Sequence, residues 1–177
     1  MSIRTLHLLG SPALREPSTN VTVDDAVRAL VDDLFETMRA AQGVGLAANQ
    51  IGITQRVAVV DVNDKAPLVL INPVVTTRSG SQRGEEGCLS IPELYGEVNR
   101  AMEITVETTT LEGELITVDA VEFKARAILH EIDHLDGILF IDHLSPLKRR
   151  MLLKKWQKMR KGETGFLKEI DPATVGE

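Results

Sequence analysis

The 177-residue chain has one cysteine, one tryptophan, one tyrosine and four phenylalanines. A single cysteine excludes an intramolecular disulfide and suits a reducing compartment. With aromatics at only 3%, aliphatic side chains must fill the core. No apolar run approaches the ~20 residues of a membrane span. Met1 to Thr19 lacks the pattern of a signal peptide, so a cytoplasmic protein without a membrane partner is expected. The net charge of −6 argues against a nucleic-acid binder as a whole, and no DNA partner is expected. No repeat, low-complexity stretch or linker divides the chain, and residues 1–177 are expected to form a single domain with a real core.

What is present centres on His130-Glu131-Ile132-Asp133-His134. Helical residues four apart lie one above the other. His130 and His134 can therefore hold one metal ion, with Glu131 beside it as general base. Asp119 followed by Glu122 reads as a capping box, and Asp136-Gly137 as the stop. Between them Val121, Ala125, Ile128, Ile132 and Leu135 form one apolar stripe. At about 100° per residue the two histidines fall opposite that stripe with Phe123 and Ala127, while Arg126 and Asp133 take a third side.

The rest of the chain supplies the setting. Thr22 with Asp25 resembles a helix start, and Val27, Leu30, Val31, Leu34 and Met38 carry the helical period to Gly43. The stretch Gly43 to Gly52 is rich in small residues that allow close backbone approach, and lacks the lysine of a phosphate loop. Within it Gln50 can donate to a developing oxyanion. Strands are expected at Arg56 to Val62, Leu68 to Ile71 and Val74 to Arg78, with a turn at Ser79-Gly80-Ser81. Gly84 to Pro92 reads as a polar loop around Cys88, a setting that suits a thiolate ligand. Cys88, His130 and His134 make three protein ligands, the number a catalytic metal site needs. Glu86 and Arg100 are expected to pair and hold that loop. Met102 to Thr109 alternates as a half-buried strand, and Leu115 to Val118 is its hairpin partner. Ser145-Pro146 starts a last helix. From Lys148 to Lys161 it has eight basic residues, no acidic one, and a narrow stripe of Leu152, Trp156 and Met159. Residues 162–177 read as a loose tail.

Three stretches together resemble peptide deformylase, whose motifs are GxGLAAxQ, EGCLS and QHExDHLxG. Here they read Gly43-Val44-Gly45-Leu46-Ala47-Ala48-Asn49-Gln50, Glu86-Gly87-Cys88-Leu89-Ser90 and Leu129-His130-Glu131-Ile132-Asp133-His134-Leu135-Asp136-Gly137. Pro12-Ala13-Leu14-Arg15 and Ser145-Pro146-Leu147-Lys148 look like the bacterial branch. Leu129 stands in place of the usual glutamine, and Glu122 where the family often has glycine. The resemblance implies an α+β fold in which mostly antiparallel strands surround the HExxH helix, flanked by an N-terminal and a C-terminal helix. It implies removal of the formyl group from the formyl-methionine of new polypeptides, with release of formate. It also implies one divalent metal ion per chain, usually iron(II), with zinc, nickel or cobalt able to replace it.

On that reading a metal-activated water attacks the formyl carbon and Glu131 carries its proton. The Gln50 amide and the Leu89 backbone N–H hold the oxyanion. Gly43, Val44, Gly45, Glu86, Phe123 and Ala127 bind the substrate, and the methionine side chain sits among Val44, Phe123 and Ala127. The basic last helix is expected to contact ribosomal RNA near the nascent-chain exit. Two rivals are weighed. A zinc endopeptidase would need a further downstream ligand, and His143 lies past the helix stop. An RNA-binding module with a structural metal would need a fourth ligand, and no good one is evident.

Overall fold

β3, Val57–Val60, is buried at every position, and it explains the arrangement of the rest. Successive strand residues point to opposite faces. Val57 and Val59 enter one core, with residues of α1 (Asp25–Ala40). Ala58 and Val60 enter the other, with residues of α2 (Glu122–Leu135). A strand covered on both faces needs a continuous apolar run, and this one has it. The computed structural model describes residues 2–63 and 66–172.

The other strands and the last α-helix are β1 (Leu6–His7), β2 (Gly45–Ala47), β4 (Leu68–Ile71), β5 (Val74–Ser79), β6 (Gln82–Cys88), β7 (Ile91–Arg100), β8 (Glu103–Thr109), β9 (Leu115–Val121), α3 (Pro146–Met159) and β10 (Leu167–Lys168), with short 3-10 turns at Pro12–Arg15, Ala48–Ile51 and Phe140–His143. The strands pair as β2-β3-β4, β5-β8-β9, β6-β7 and β1-β10. Every pairing between these strands is antiparallel. The expected α+β architecture is therefore observed, with α2 packed on side chains from β2, β3, β4, β8 and β9.

Several local expectations are corrected. α1 is capped by Asp24, not Thr22: the Asp24 carboxylate accepts from the Val27 N–H at 2.8 Å. The capping box at Asp119 does not form. Asp119 lies in β9 and accepts from the Thr105 hydroxyl at 2.8 Å. The chain passes from β9 into α2 with no loop, Val121 is half-exposed rather than part of the buried stripe, and Glu122 takes φ +55°. Ala125, Ile128, Ile132 and Leu135 are buried as the stripe requires. Gly137, at φ +75°, ends the segment.

The polar loop around Cys88 is a hairpin. β6 runs to Cys88 and β7 starts at Ile91, leaving Leu89 and Ser90 between them. Gly84, Gly87 and two glutamates mask the strand pattern in the sequence, and β7 had no counterpart among the expected elements. A register shift falls between Gly87 and Cys88. Such a bulge re-aims a side chain at a strand end.

α3 begins as expected, with the Ser145 hydroxyl accepting from the Lys148 N–H at 3.3 Å. Leu152 and Trp156 are buried against Leu8, Leu139, Phe140 and Ile141, but Met159 is exposed. Burying side chains of this size contributes about 1.5–3 kcal/mol each. Residues 162–172 are not loose throughout: Lys168 and Leu167 pair with Leu6 and His7. The last five residues lie outside the described residues.

Candidate active site and metal centre

α2 carries the centre. His130 and His134 stand one turn apart, and their Nε2 atoms approach to 3.1 Å. The bulge at the end of β6 brings Cys88 Sγ to 3.3 Å from His134 Nε2. The sulfur and one nitrogen of each ring lie within 4.8 Å of one another. Ligand atoms about 2.0–2.3 Å from a shared ion would be separated by distances of this order.

The surroundings fit a cation. Glu86 Oε1 is 2.9 Å from His130 Nδ1. An ionised carboxylate only accepts, so Nδ1 donates, and it is Nε2, on the side of Cys88 and His134, that carries the lone pair when the ring is neutral. Glu86 is itself held by Arg100, through Nε at 2.8 Å and Nη2 at 2.9 Å, and by Arg126 Nη1 at 2.7 Å. Burial alone would raise the Glu86 pKa, but hydrogen bonds from Arg100 and His130 hold it far below the usual carboxylate range. Burial would likewise lower His130, yet Cys88 and Glu86 outweigh it and raise its pKa. Burial and the neighbouring His130 push His134 well down. One proton serves only one of these convergent contacts, whereas a divalent ion would serve a thiolate and two imidazoles together.

Glu131 lies beside the centre and is 4% exposed. Its Oε2 has no hydrogen-bond partner, and burial pushes its carboxyl up to about 7. The β2 backbone passes so close that a Cβ on Gly45 would fall 2.6 Å from Glu131 Oε1. Gly45 is thus required for close approach. A Cβ on Gly43 would meet Leu89 Cδ1 at 2.6 Å, so that glycine admits the Leu89 side chain. Gln50 is buried: its Oε1 accepts from the Ala47 N–H at 3.0 Å, and its Nε2 donates to Ser90 Oγ at 3.0 Å and faces Cys88 Sγ at 3.6 Å.

A cavity of about 720 Å³ opens onto this centre, lined by Cys88, Leu89, His130, Glu131 and Gln50 among others. Gly43, Val44, Gly45, Phe123 and Ala127, the residues expected to bind the substrate, also line it. Val44 and Phe123 are half-exposed, and Ala127 is buried. Glu86, also expected to bind the substrate, borders the cavity too, with both of its oxygens engaged by Arg100, Arg126 and His130.

The expected Glu86–Arg100 pair is present, and it is larger than expected. Arg100 Nη1 also reaches Asp133 at 2.5 Å, and His143 Nε2 lies 2.8 Å from the same carboxylate. Arg126, placed on a third side of the wheel, is buried and donates to Glu86 and to the Val98 carbonyl. Its spacing of four before His130 was the available signal. Asn49 donates to the His134 carbonyl at 2.5 Å, and nothing in its local sequence marks that role.

A buried carboxylate free to take a proton, next to a convergent thiol and two imidazoles, is the equipment of a metallo-hydrolase. The polypeptide deformylase family model matches residues 3–150. The chain belongs to that family, whose members are metal-dependent and remove the N-formyl group from nascent peptides. A peptide deformylase of Acidobacterium capsulatum is 46% identical over 166 residues, covering 91% of this chain and 98% of that protein. One of Rhizobium meliloti is 49% identical over 168 residues, covering 91% and 96%. Among solved structures, a peptide deformylase from Legionella pneumophila superposes with a TM-score of 0.86 at 39% identity, covering 92% of this chain and 98% of that one. A peptide deformylase from Ehrlichia chaffeensis in complex with actinonin gives 0.87 at 36% identity, covering 93% and 100%.

Proposed function

We propose that Cys88 Sγ, His130 Nε2 and His134 Nε2 hold one divalent ion, and that Glu131 is the general base of deformylation. The observation that carries this reading is the unpartnered Oε2 of Glu131, buried beside three convergent ligand atoms. When bound, the ion supplies Lewis-acid chemistry that polarises a carbonyl and eases loss of a proton from water. Thiolate with imidazole suits iron(II) and zinc alike, and the family resemblance favours iron(II) in the cell.

The chain's own groups do the rest. Glu131 takes a proton from the attacking water and returns it to the amine that leaves. The Gln50 side-chain amide, turning the hydrogen that faces Cys88, and the Leu89 backbone N–H donate to the formyl oxygen as negative charge develops there. Gln50 is fixed for this by Ala47 and Ser90. Val44, Phe123 and Ala127 receive the methionine side chain, with Gly43 and Gly45 keeping the opposite backbone close. The products are formate and a free methionyl N-terminus.

The place of action is the cytoplasm, at the ribosome. No helix of the described residues is long and apolar enough to cross a membrane. Arg149 of α3 pairs with Asp142, and Arg160, just past its end, lies over Trp156. Lys148, Arg150, Lys154, Lys155 and Lys158 remain exposed and make no ion pair among the described residues. A cationic face of this kind suits the phosphates of ribosomal RNA.

The reading is tested by offering a formyl-methionyl peptide and an N-blocked peptide with an internal amide. Formate from the first and no cleavage of the second is the expected result. Cleavage of the internal bond without formate would make the chain an endopeptidase instead.

A further inference from the structure

Residues 166–171 run back from α3 across the molecule and end on the cavity that contains the metal centre. They are held in place throughout. The Phe166 carbonyl accepts from the Leu8 N–H at 2.7 Å, and the Phe166 ring covers Gly10. Lys168 pairs with Leu6 in the β1–β10 ladder. The Thr5 hydroxyl donates to Glu169 at 3.2 Å, and Ile170 packs on the core shared by α1 and β3. This segment is therefore built structure, although the sequence gives it no helical or strand period.

Lys168, Glu169, Ile170 and Asp171 line the same cavity as Cys88 and Glu131. Leu6, the ladder partner of Lys168, lines it too, so the segment and β1 form one continuous piece of wall. The cavity measures about 720 Å³. Pockets of about 300–1,000 Å³ enclose a whole drug-sized ligand, so this one exceeds the needs of a single formyl-methionine. The chemistry occupies only the end where Glu131 presents its unpartnered oxygen. A substrate that is a polypeptide must run its following residues along the remaining length.

We propose that this C-terminal strap is a wall of the substrate groove and contacts the peptide residues that follow formyl-methionine. The proposal rests on the deformylase reading above. Lys168 and Glu169 are exposed; Lys168 is joined to β1 through its backbone, and Glu169 gives up only the hydrogen bond from the Thr5 hydroxyl when its side chain turns to a peptide, so the ladder is kept. The strap lets the enzyme distinguish a chain long enough to reach it from a bare formyl-methionyl unit. It adds binding that is equal in ground and transition states, which alters KM rather than kcat.

The experiment compares formate release from formyl-methionine amide and from a formyl-methionyl tetrapeptide. It is run on the metal-loaded wild type, on the double variant Lys168→Ala with Glu169→Ala, and on a chain ending at Gly165. The ratio of the tetrapeptide KM to the amide KM is expected to rise about three- to tenfold in both variants, with the kcat ratio unchanged. The two substrates are compared within each protein, so a general loss of active enzyme cancels. If the shortened chain does not fold, the double variant alone carries the test, since it keeps the backbone ladder and Phe166. An unchanged KM ratio, with formate still released, would overturn the strap alone and leave it a purely structural closure. No formate from either compound with wild type would overturn the deformylase reading and the strap with it.

Discussion

Glu86 Oε1 accepts from His130 Nδ1 at 2.9 Å, while Arg100 donates to both oxygens of the same carboxylate. A side chain two residues before one proposed ligand thus sets the tautomer of another proposed ligand 44 positions away. Glu86→Gln keeps the shape and removes the charge. It leaves Arg100 and Arg126 buried without a full counter-charge, a kind of loss that costs about 3–5 kcal/mol. Removing such a support typically weakens metal affinity about 10–100-fold. Denaturant unfolding and competition with a chelator are the measurements. Wild-type values in both would deny Glu86 this role.

Glu122 occupies φ +55° at the junction of β9 and α2. Its N–H donates to the Met102 carbonyl at 2.8 Å and its carbonyl accepts from Gln82 at 2.7 Å, so the backbone is held there from both sides. A side chain in the left-handed region costs about 1–2 kcal/mol, against roughly 0.5–1 kcal/mol of extra entropy for glycine. Glu122→Gly is therefore expected to stabilise, by up to about 1 kcal/mol, or roughly 2–4 °C in Tm for a chain of this size. Thermal unfolding of the metal-loaded protein checks this, and a lower Tm would show that Glu122 has a compensating role.

These two positions mark what the sequence could and could not reveal. The HExxH helix was legible because four-residue spacing places ligands on one face by local geometry alone. β8 was legible because Ile104, Val106 and Thr108 alternate with polar residues, and all three are buried. The β6–β7 hairpin was hidden by glycines and glutamates, whose partners lie on α2 or across the hairpin. Glu122 read as a cap residue because side-chain type carries no record of φ. The β1–β10 pairing was out of reach because it joins residues 6 and 168, with only two residues on each strand. The convergence of Cys88, His130 and His134 was legible, whereas their support by Arg126, Asn49 and Asp133 depends on contacts between distant segments.

Asp142 gives a pH dependence. Burial would raise its pKa, but the hydrogen bonds from Arg15 and the Leu139 N–H outweigh burial and lower it. Arg15 Nη1 lies 2.5 Å from Oδ2 and the Leu139 N–H 3.0 Å from it. A depressed folded pKa stabilises above the unfolded value of about 3.9 and loses that contribution as pH falls through the folded value. Arg15 is well exposed to solvent, so the contribution is limited to about 1 kcal/mol. Asp142→Asn should be less stable than wild type at pH 7, and the difference should close as pH drops below 4. A gap that stays constant down to acid pH would place the effect elsewhere.

The basic face of α3 gives an ionic-strength dependence. Replacing Lys154, Lys155, Lys158 and Lys161 with glutamine leaves Leu152 and Trp156 in their buried places. The variant is expected to deformylate a short peptide normally and to lose cosedimentation with ribosomes at low salt. For wild type the association should fall steeply as salt rises. Cosedimentation unaffected by the four substitutions would return α3 to a solvated outer face.

The central claim is that Glu131 moves the proton while Cys88, His130 and His134 hold the ion. The most direct measurement sets wild type beside Glu131→Gln and records, on the same samples, bound metal per chain and formate released from a formyl-methionyl peptide. The amide keeps the shape of the side chain and cannot act as the base. Metal content is expected to match wild type, with turnover lower by about 10²–10⁴-fold. Wild-type turnover, or a loss fully accounted for by missing metal, would contradict the assignment.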